Sequence, residues 1–253
     1  MKIELKENEE INDLEYKGLK MIQNKEGFCF GMDSILLSDF AKEIKDESYV
    51  IDLGAGTGIL DVLLCGKTNL KKIIGVEIQE DVANLAKRNI QLNHLEDKFE
   101  MICSNIKDII IKNYVKKNSF DVVVTNPPYK KDKTGIQNKN YTKLIARHEI
   151  EANLEDFIQI SYQILKDKGT LYMIHRPERL VDILILLRNY KIEPKEIRFV
   201  QPKAEKDPNL VLVKGIKNAK AFIKVQKPLI VYQNDGNYTE EILKIYHKEE
   251  KKK

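Results

Sequence analysis

The 253-residue chain has no run of about 18 apolar residues, so no helical membrane span is expected. Its first residues, MKIELKENEEIND, lack the apolar stretch of a secretory signal, and a cytoplasmic location is expected. Cysteine is scarce. Cys29, Cys65 and Cys103 are far apart, odd in number and without zinc-ligand spacing, which argues against a metal site and a disulfide framework. Three reduced, mostly buried thiols are expected instead. No internal repeat, low-complexity segment or dividing linker is present.

What the chain does have is enough apolar residue, 42%, for one sizeable core, and 32% charged residue. The net charge of +4 is mildly basic and by itself says little about partners. Its distribution says more: Lys130, Lys131, Lys133, Lys139, Lys143 and Arg147 face a single acid, Asp132, in the same stretch. Such an excess can hold phosphates, although a solvated lysine-rich loop has the same composition.

Residues 1–12 are polar, and order is not expected there. Two short strands are predicted at 13–16 and 20–23 around Gly18, then a helix over 32–44 with Asp33 or Ser34 placed to cap it. From Tyr49 onward strands and helices alternate: strands at 49–54, 72–78, 99–103, 120–129 (running into a proline turn) and 170–175, and helices at 59–65, 79–93, 154–165 and 178–188. That alternation implies a parallel sheet with helices on both faces. The strand-rich remainder, 196–201, 210–216, 221–225 and 229–232, predicts an antiparallel ending before a last short helix.

The first alternating strand runs into Asp52-Leu53-Gly54-Ala55-Gly56-Thr57-Gly58. Ligands of open α/β sheets sit at the carboxyl ends of strands, where glycine lets backbone approach a ligand closely. A dinucleotide fingerprint would need its third glycine where Ile59 stands, which argues against a nicotinamide enzyme. The next strand ends at Glu77, where an acid can accept both ribose hydroxyl protons of an adenosine.

The fourth strand ends in Asn126-Pro127-Pro128-Tyr129. Two prolines stop the ladder and leave the Pro127 carbonyl unused, the Asn126 side chain offers a second acceptor, and Tyr129 offers a flat face for stacking. Two acceptors beside an aromatic face match the exocyclic amino group of a planar base. Holding both N–H protons orients the nitrogen lone pair for attack, and positioning supplies much of such a rate enhancement.

Here the chain resembles the class I amino-methyltransferases of the NPPY type, and within them the bacterial family that methylates N6 of adenine 37 in valine tRNA. The resemblance spans about residues 20–247. It includes Gly27-Phe28-Cys29-Phe30-Gly31-Met32-Asp33, Ala146-Arg147-His148-Glu149 and His175-Arg176-Pro177-Glu178. It implies a Rossmann-like α/β fold: a seven-stranded, mostly parallel sheet with helices on both faces and an antiparallel C-terminal strand pair. The expected organisation is an N-terminal extension over 1–30 with a short hairpin, a methyltransferase domain over 31–247, and a tail over 248–253.

The resemblance further implies S-adenosylmethionine as cofactor, leaving as S-adenosylhomocysteine. It would be held by Phe30, Gly31, Asp33, Asp52, Gly54, Ala55, Gly56, Gly58, Glu77, Ile78, Asn105, Ile106 and Asn126. Asn105 stands where many relatives carry an acid that flanks the cofactor's adenine. Asn126, Pro127 and Tyr129 would act on the substrate amine, with Pro128, Tyr129, Lys130, Lys131, Lys133 and Arg147 on the RNA. The Phe30–Asp33 segment is read as closing over the methionine part, with a plain helix cap at Asp33 as the alternative. The expected partner is RNA, tRNA foremost, for a monomer. His148 is read as an ordinary surface residue and His175 as structural.

Three competing readings are weaker. Glutamine-amide methyltransferases carry a helical domain ahead of the catalytic one, and only about thirty residues precede the covering segment here. DNA methyltransferases add a target-recognition region and must flip a base from a duplex, whereas an unpaired RNA base avoids most of that cost. A non-catalytic binder has no use for the Asn126 and Tyr129 pair. Ribosomal RNA remains open beside tRNA.

Overall fold

The computed structural model describes residues 4–25, 31–128 and 152–247. The expected contributions of Phe30, Tyr129, Lys130, Lys131, Lys133, Arg147 and His148 lie outside the described residues.

The strand at Tyr49–Leu53 (here β3) carries buried side chains on both faces, as a central parallel strand must. Its alternation divides the core: Val50 belongs to one apolar cluster, Ile51 and Leu53 to the other. The Val50 side packs under α1 (Met32–Phe40), α2 (Ile59–Lys67) and α3 (Glu80–Leu92). The opposite side packs under α4 (Leu154–Ile164) and α5 (Leu180–Asn189). Helices therefore cover both faces. Asp52 lies two residues on from Val50, so its carboxyl points toward the α2 side.

The sheet continues with β4 (Lys72–Glu77), β5 (Phe99–Cys103), β6 (Phe120–Thr125), β7 (Leu165–His175), β8 (Ile192–Gln201) and β9 (Leu210–Lys217). These make seven principal strands in the spatial order β5-β4-β3-β6-β7-β9-β8. All neighbouring pairs are parallel until β9, which runs antiparallel to both β7 and β8. The order reverses between β3 and β6, and that switch point is where open α/β sheets bind ligands.

Two departures lie at the edge. The segments expected as strands over 221–225 and 229–232 shrink to the two-residue β10 (Lys224–Val225) and β11 (Leu229–Ile230), both parallel to β8, which bring the sheet to nine strands. Their alternation is too short and too exposed to extend the ladder. The last helix, α6 (Glu240–Ile245), is capped by the Thr239 side chain.

The amino-terminal hairpin is displaced from its expected place. It pairs β1 (Glu9–Asp13) with β2 (Lys20–Asn24), so residues expected to lack order form a strand. Its sequence, EEIND, carries no apolar alternation. Pairing is set from outside, by α3. Asn89 Oδ1 accepts from the Ile22 amide at 2.7 Å, and Asn93 bonds both the amide and the carbonyl of Lys20. Arg88 forks onto both carboxylate oxygens of Glu9 at 2.7 Å, and this guanidinium holds the Glu9 carboxyl below the usual range.

The helix expected over 32–44 closes at Phe40, with Ile44 buried from the following turn. Its cap is the Gly31 backbone, and neither Asp33 nor Ser34 caps it. Of the cysteines described, Cys65 is buried as expected but Cys103 is exposed at the end of β5, a strand whose other end carries the buried Phe99.

Candidate active site

The loop leaving β3 turns on three left-handed glycines, Gly54, Gly56 and Gly58, with φ of 82°, 55° and 81°. Residues with a Cβ rarely adopt this region. The amides of Gly54 and Ala55 both donate to the Val76 carbonyl, at 2.9 and 3.0 Å, which ties the loop to β4. At Gly58 a Cβ would stand 3.0 Å from the Phe99 ring, so glycine is also required for packing there. Gly58 stands at the N-terminus of α2 and is not brought into the cleft lining with the other expected glycines.

β4 delivers Glu77 to the same place. Its carboxylate accepts from the Gly56 amide at 3.0 Å and from the Gln79 amide at 2.9 Å, which fixes it between the glycine loop and the start of α3. β6 ends beside β3, where the Thr125 hydroxyl donates to the Leu53 carbonyl at 2.7 Å. The next residue is Asn126. Its Oδ1 is buried and has no hydrogen-bond partner among the described residues. An unsatisfied buried acceptor is costly and calls for an explanation.

A cleft of about 1110 Å³ opens over these strand ends. It brings together Gly31, Asp33, Asp52, Gly54, Ala55, Gly56, Glu77, Ile78, Asn105, Ile106, Asn126, Pro127 and Pro128, nearly the whole expected set among the described residues. Thr57, Ser104 and Phe157 line it as well, with no signal in the sequence to single them out. So do Glu7, Asn8, Gln23 and Asn24 of the amino-terminal segment, reached because α3 holds that segment against the cleft. The Asn105 side chain accepts from the Lys107 amide at 3.0 Å and caps a short 3-10 turn at Ile106–Asp108.

Beneath the loop lies a group that sequence reasoning missed. Asp61, on α2, is fully buried, and neither carboxylate oxygen has a hydrogen-bond partner among the described residues. Burial pushes its pKa well above the ordinary carboxyl value, and the nearby Asp52 adds to the rise. Asp52 is raised in the same direction, by burial first and Glu77 second. An acid inside the apolar run ILDVLLC was the available signal.

The residues present fit S-adenosylmethionine. Asp33 and Glu77 bring carboxyl groups to the cleft, where Glu77 would accept ribose hydroxyls. The glycine turns let backbone approach closely, and Asn126 Oδ1 is an acceptor unused among the described residues.

A doubly wound sheet in this order, with a glycine turn after its first strand, an acid ending the second and Asn-Pro-Pro ending the fourth, is the architecture of a class I methyltransferase. The comparisons carry this one step further. The model of the methyltransferase small domain matches residues 31–187, and the chain belongs to that family. It is 26% identical over 185 residues to a tRNA1(Val) (adenine(37)-N6)-methyltransferase of Porphyromonas gingivalis, covering 72% of each chain. It is 25% identical over 231 residues to the enzyme of the same name in Haemophilus influenzae, covering 91% of this chain and 94% of that one. Among solved structures, a predicted O-methyltransferase from Agrobacterium tumefaciens shares the fold with a TM-score of 0.68 at 20% identity, over 85% of this chain and 96% of the other. A protein of M. jannaschii solved in complex with AdoMet does so with a TM-score of 0.57 at 17% identity, over 84% and 87%.

Proposed function

We propose that this methyltransferase uses S-adenosylmethionine to methylate N6 of an unpaired adenine in RNA, and that adenine 37 of a valine tRNA is the substrate. The observation that carries the reading is the buried, unpartnered Oδ1 of Asn126, one residue before the buried Pro127 and at the wall of a cleft shared with Glu77. The names of the relatives agree with it.

The cofactor, when bound, supplies an electrophilic methyl group on a sulfonium. Glu77 accepts the ribose hydroxyls, and the glycine turns let the backbone close on the rest. Asn126 Oδ1 and the Pro127 carbonyl accept the two amino protons of the base, and Tyr129 stacks on its face. This arrangement would orient the nitrogen lone pair; the amine becomes acidic only as the methyl group leaves the sulfonium sulfur for nitrogen, and the proton is then released to water, so no strong base is required. Pro128, Lys130, Lys131, Lys133 and Arg147 are assigned to the RNA. A cytoplasmic monomer is part of this reading. Among the described residues no helix is long and apolar enough to cross a membrane.

The test is incubation with tritiated S-adenosylmethionine and total small RNA from a strain lacking the gene, followed by digestion to nucleosides. Label in N6-methyladenosine from a single tRNA is expected. Label in ribosomal RNA would move the substrate, and label in a protein band would replace adenine by a glutamine amide.

A further inference from the structure

The outer edge of the sheet carries a surface that the cleft does not use. From Val213 to Lys227 the sequence reads VKGIKNAKAFIKVQK, with Lys214, Lys217, Lys220, Lys224 and Lys227 and no acid. Lys217 is buried and satisfied by Asn118 and two carbonyls, and Lys214 lies over the Tyr172 ring. Lys220, Lys224 and Lys227 are exposed, on a stretch of chain that spans at most about 23 Å.

Between them stand three apolar side chains that the fold leaves in solvent: Phe222 is 88% exposed, Ile223 44% and Val225 63%. Phe222 also adopts φ of 113°, a region costing a non-glycine residue on the order of 1–3 kcal/mol. The segment is held in this shape. The Lys195 ammonium donates to the Lys220 carbonyl at 3.2 Å, and the Gln226 amide donates to the Ile197 carbonyl at 2.8 Å.

Lysines on an edge strand can serve simply to block pairing with another sheet. That purpose would place charge at the edge, and it would leave out an aromatic held nearly bare in a strained backbone. The acids on this edge are already engaged: Glu196 by Gln226 and, at 4.0 Å, by Lys224, and Glu241 by Arg198. No ion pair involves Lys220 or Lys227 among the described residues. Cations beside an exposed flat ring match a nucleic-acid strand, with phosphates on the lysines and a base on the ring.

We propose that the Lys220–Lys227 edge, with Phe222 at its centre, is a second RNA-binding surface that holds the substrate outside the cleft. It lies four strand spacings from β6, which ends at Asn126, roughly 19 Å across the sheet. That is about half a turn of a nucleic-acid helix, within reach of RNA flanking the base in the cleft. The inference rests on the RNA reading above and adds to it where affinity comes from.

Fluorescence anisotropy with unmodified valine tRNA, over a salt series, tests it in two variants. Phe222→Ala is expected to raise the RNA Kd about tenfold. The triple variant Lys220→Gln, Lys224→Gln, Lys227→Gln is expected to flatten the slope of log Kd against log salt by about two to three. In both, kcat at saturating RNA and cofactor binding by calorimetry stay at wild-type values, which separates lost RNA contacts from lost fold. An unchanged Kd and salt slope, with the wild-type enzyme active on RNA, would overturn this inference alone. A wild-type enzyme that neither binds nor methylates RNA would overturn the RNA reading and this inference together. A dimer by light scattering that Phe222→Ala dissociates would assign the edge to a second copy instead.

Discussion

Asn126 and Glu77 line one cleft, and the proposed function gives them separable duties. Asn126 offers the cleft an acceptor that nothing in the described fold uses. Replacing it by alanine removes an interaction made with the reacting amine and leaves the strand ends joined by Thr125. Asn126→Ala is therefore expected to lower kcat by at least about 10²-fold while the cofactor dissociation constant stays within about twofold. Single-turnover assays and calorimetry read the two quantities, and strong residual turnover would defeat the amine-positioning role. Glu77 already bonds two amides, so its carboxylate is preset for a ligand on its remaining lone pairs. Glu77→Ala should weaken cofactor binding about 10- to 100-fold, the size of a charged hydrogen bond, with a smaller effect on kcat. An unchanged dissociation constant would remove it from the ribose. Both residues were singled out from the sequence because each follows or ends an apolar strand, Asn126 with Pro127 directly after it. Asp61 was not legible as a partner of Asp52. Their proximity needs the pleat of β3 and the turn of α2 to be known together, and the apolar run ILDVLLC signals only that Asp61 is buried.

The elements were legible where one physical signal dominated. β3, β4 and β5 are short apolar runs whose places agree with the structure to within a residue or so, and β6 starts where expected but stops at Thr125, ahead of the prolines. The hairpin was misplaced because its register comes from side chains of another element. Asn89 is fully buried and makes the joint: it accepts from the Ile22 amide and donates to the Thr57 carbonyl at 3.1 Å, binding β2 to the glycine loop through α3. Helical periodicity places Asn89 on one side with Val82, Leu85, Ala86 and Ile90, but it cannot say which backbone groups of other elements the amide bonds. The consequence is testable. Asn89→Ala leaves a buried amide and a carbonyl without partners, which costs about 1–3 kcal/mol for each group left unsatisfied. Urea denaturation should show a loss of about 2–4 kcal/mol, and cofactor affinity should fall as well, because the loop loses its anchor. Destabilisation with wild-type cofactor affinity would mean that the hairpin is fastened to the fold without shaping the cleft. At the edge beyond β8, the sequence suited longer strands than form, because apolar residues there face solvent rather than a second layer.

At the scale of the molecule, two buried titratable sites pull stability in opposite directions with pH. His175, at the end of β7, is 1% exposed and accepts from the Arg176 amide at 2.7 Å. Burial lowers its pKa from 6.5 to about 4, and Arg179 and Arg176 reinforce the shift. The folded protein thus holds this imidazole neutral. Its contribution is present above pH 6.5 and is lost as pH falls toward about 4, a span worth about 3 kcal/mol. Asp61 has the reverse sign. Its folded pKa is raised well above 3.8, so its contribution is present below that value and is lost as pH rises through the elevated pKa. Asp52 is raised in the same sense and adds to the loss. Between the ordinary carboxyl and imidazole ranges the rising His175 limb is met by the falling limbs of Asp61 and Asp52, so stability should not rise steadily toward neutrality. Urea unfolding at a series of pH values checks this in wild type and two variants. His175→Gln should flatten the acid limb, and Asp61→Asn should flatten the limb above the carboxyl range and raise stability at neutral pH. Retention of the full upper limb in Asp61→Asn would mean that the buried carboxyl is satisfied in solution, and that the strain beneath the glycine loop lies with Asp52 alone.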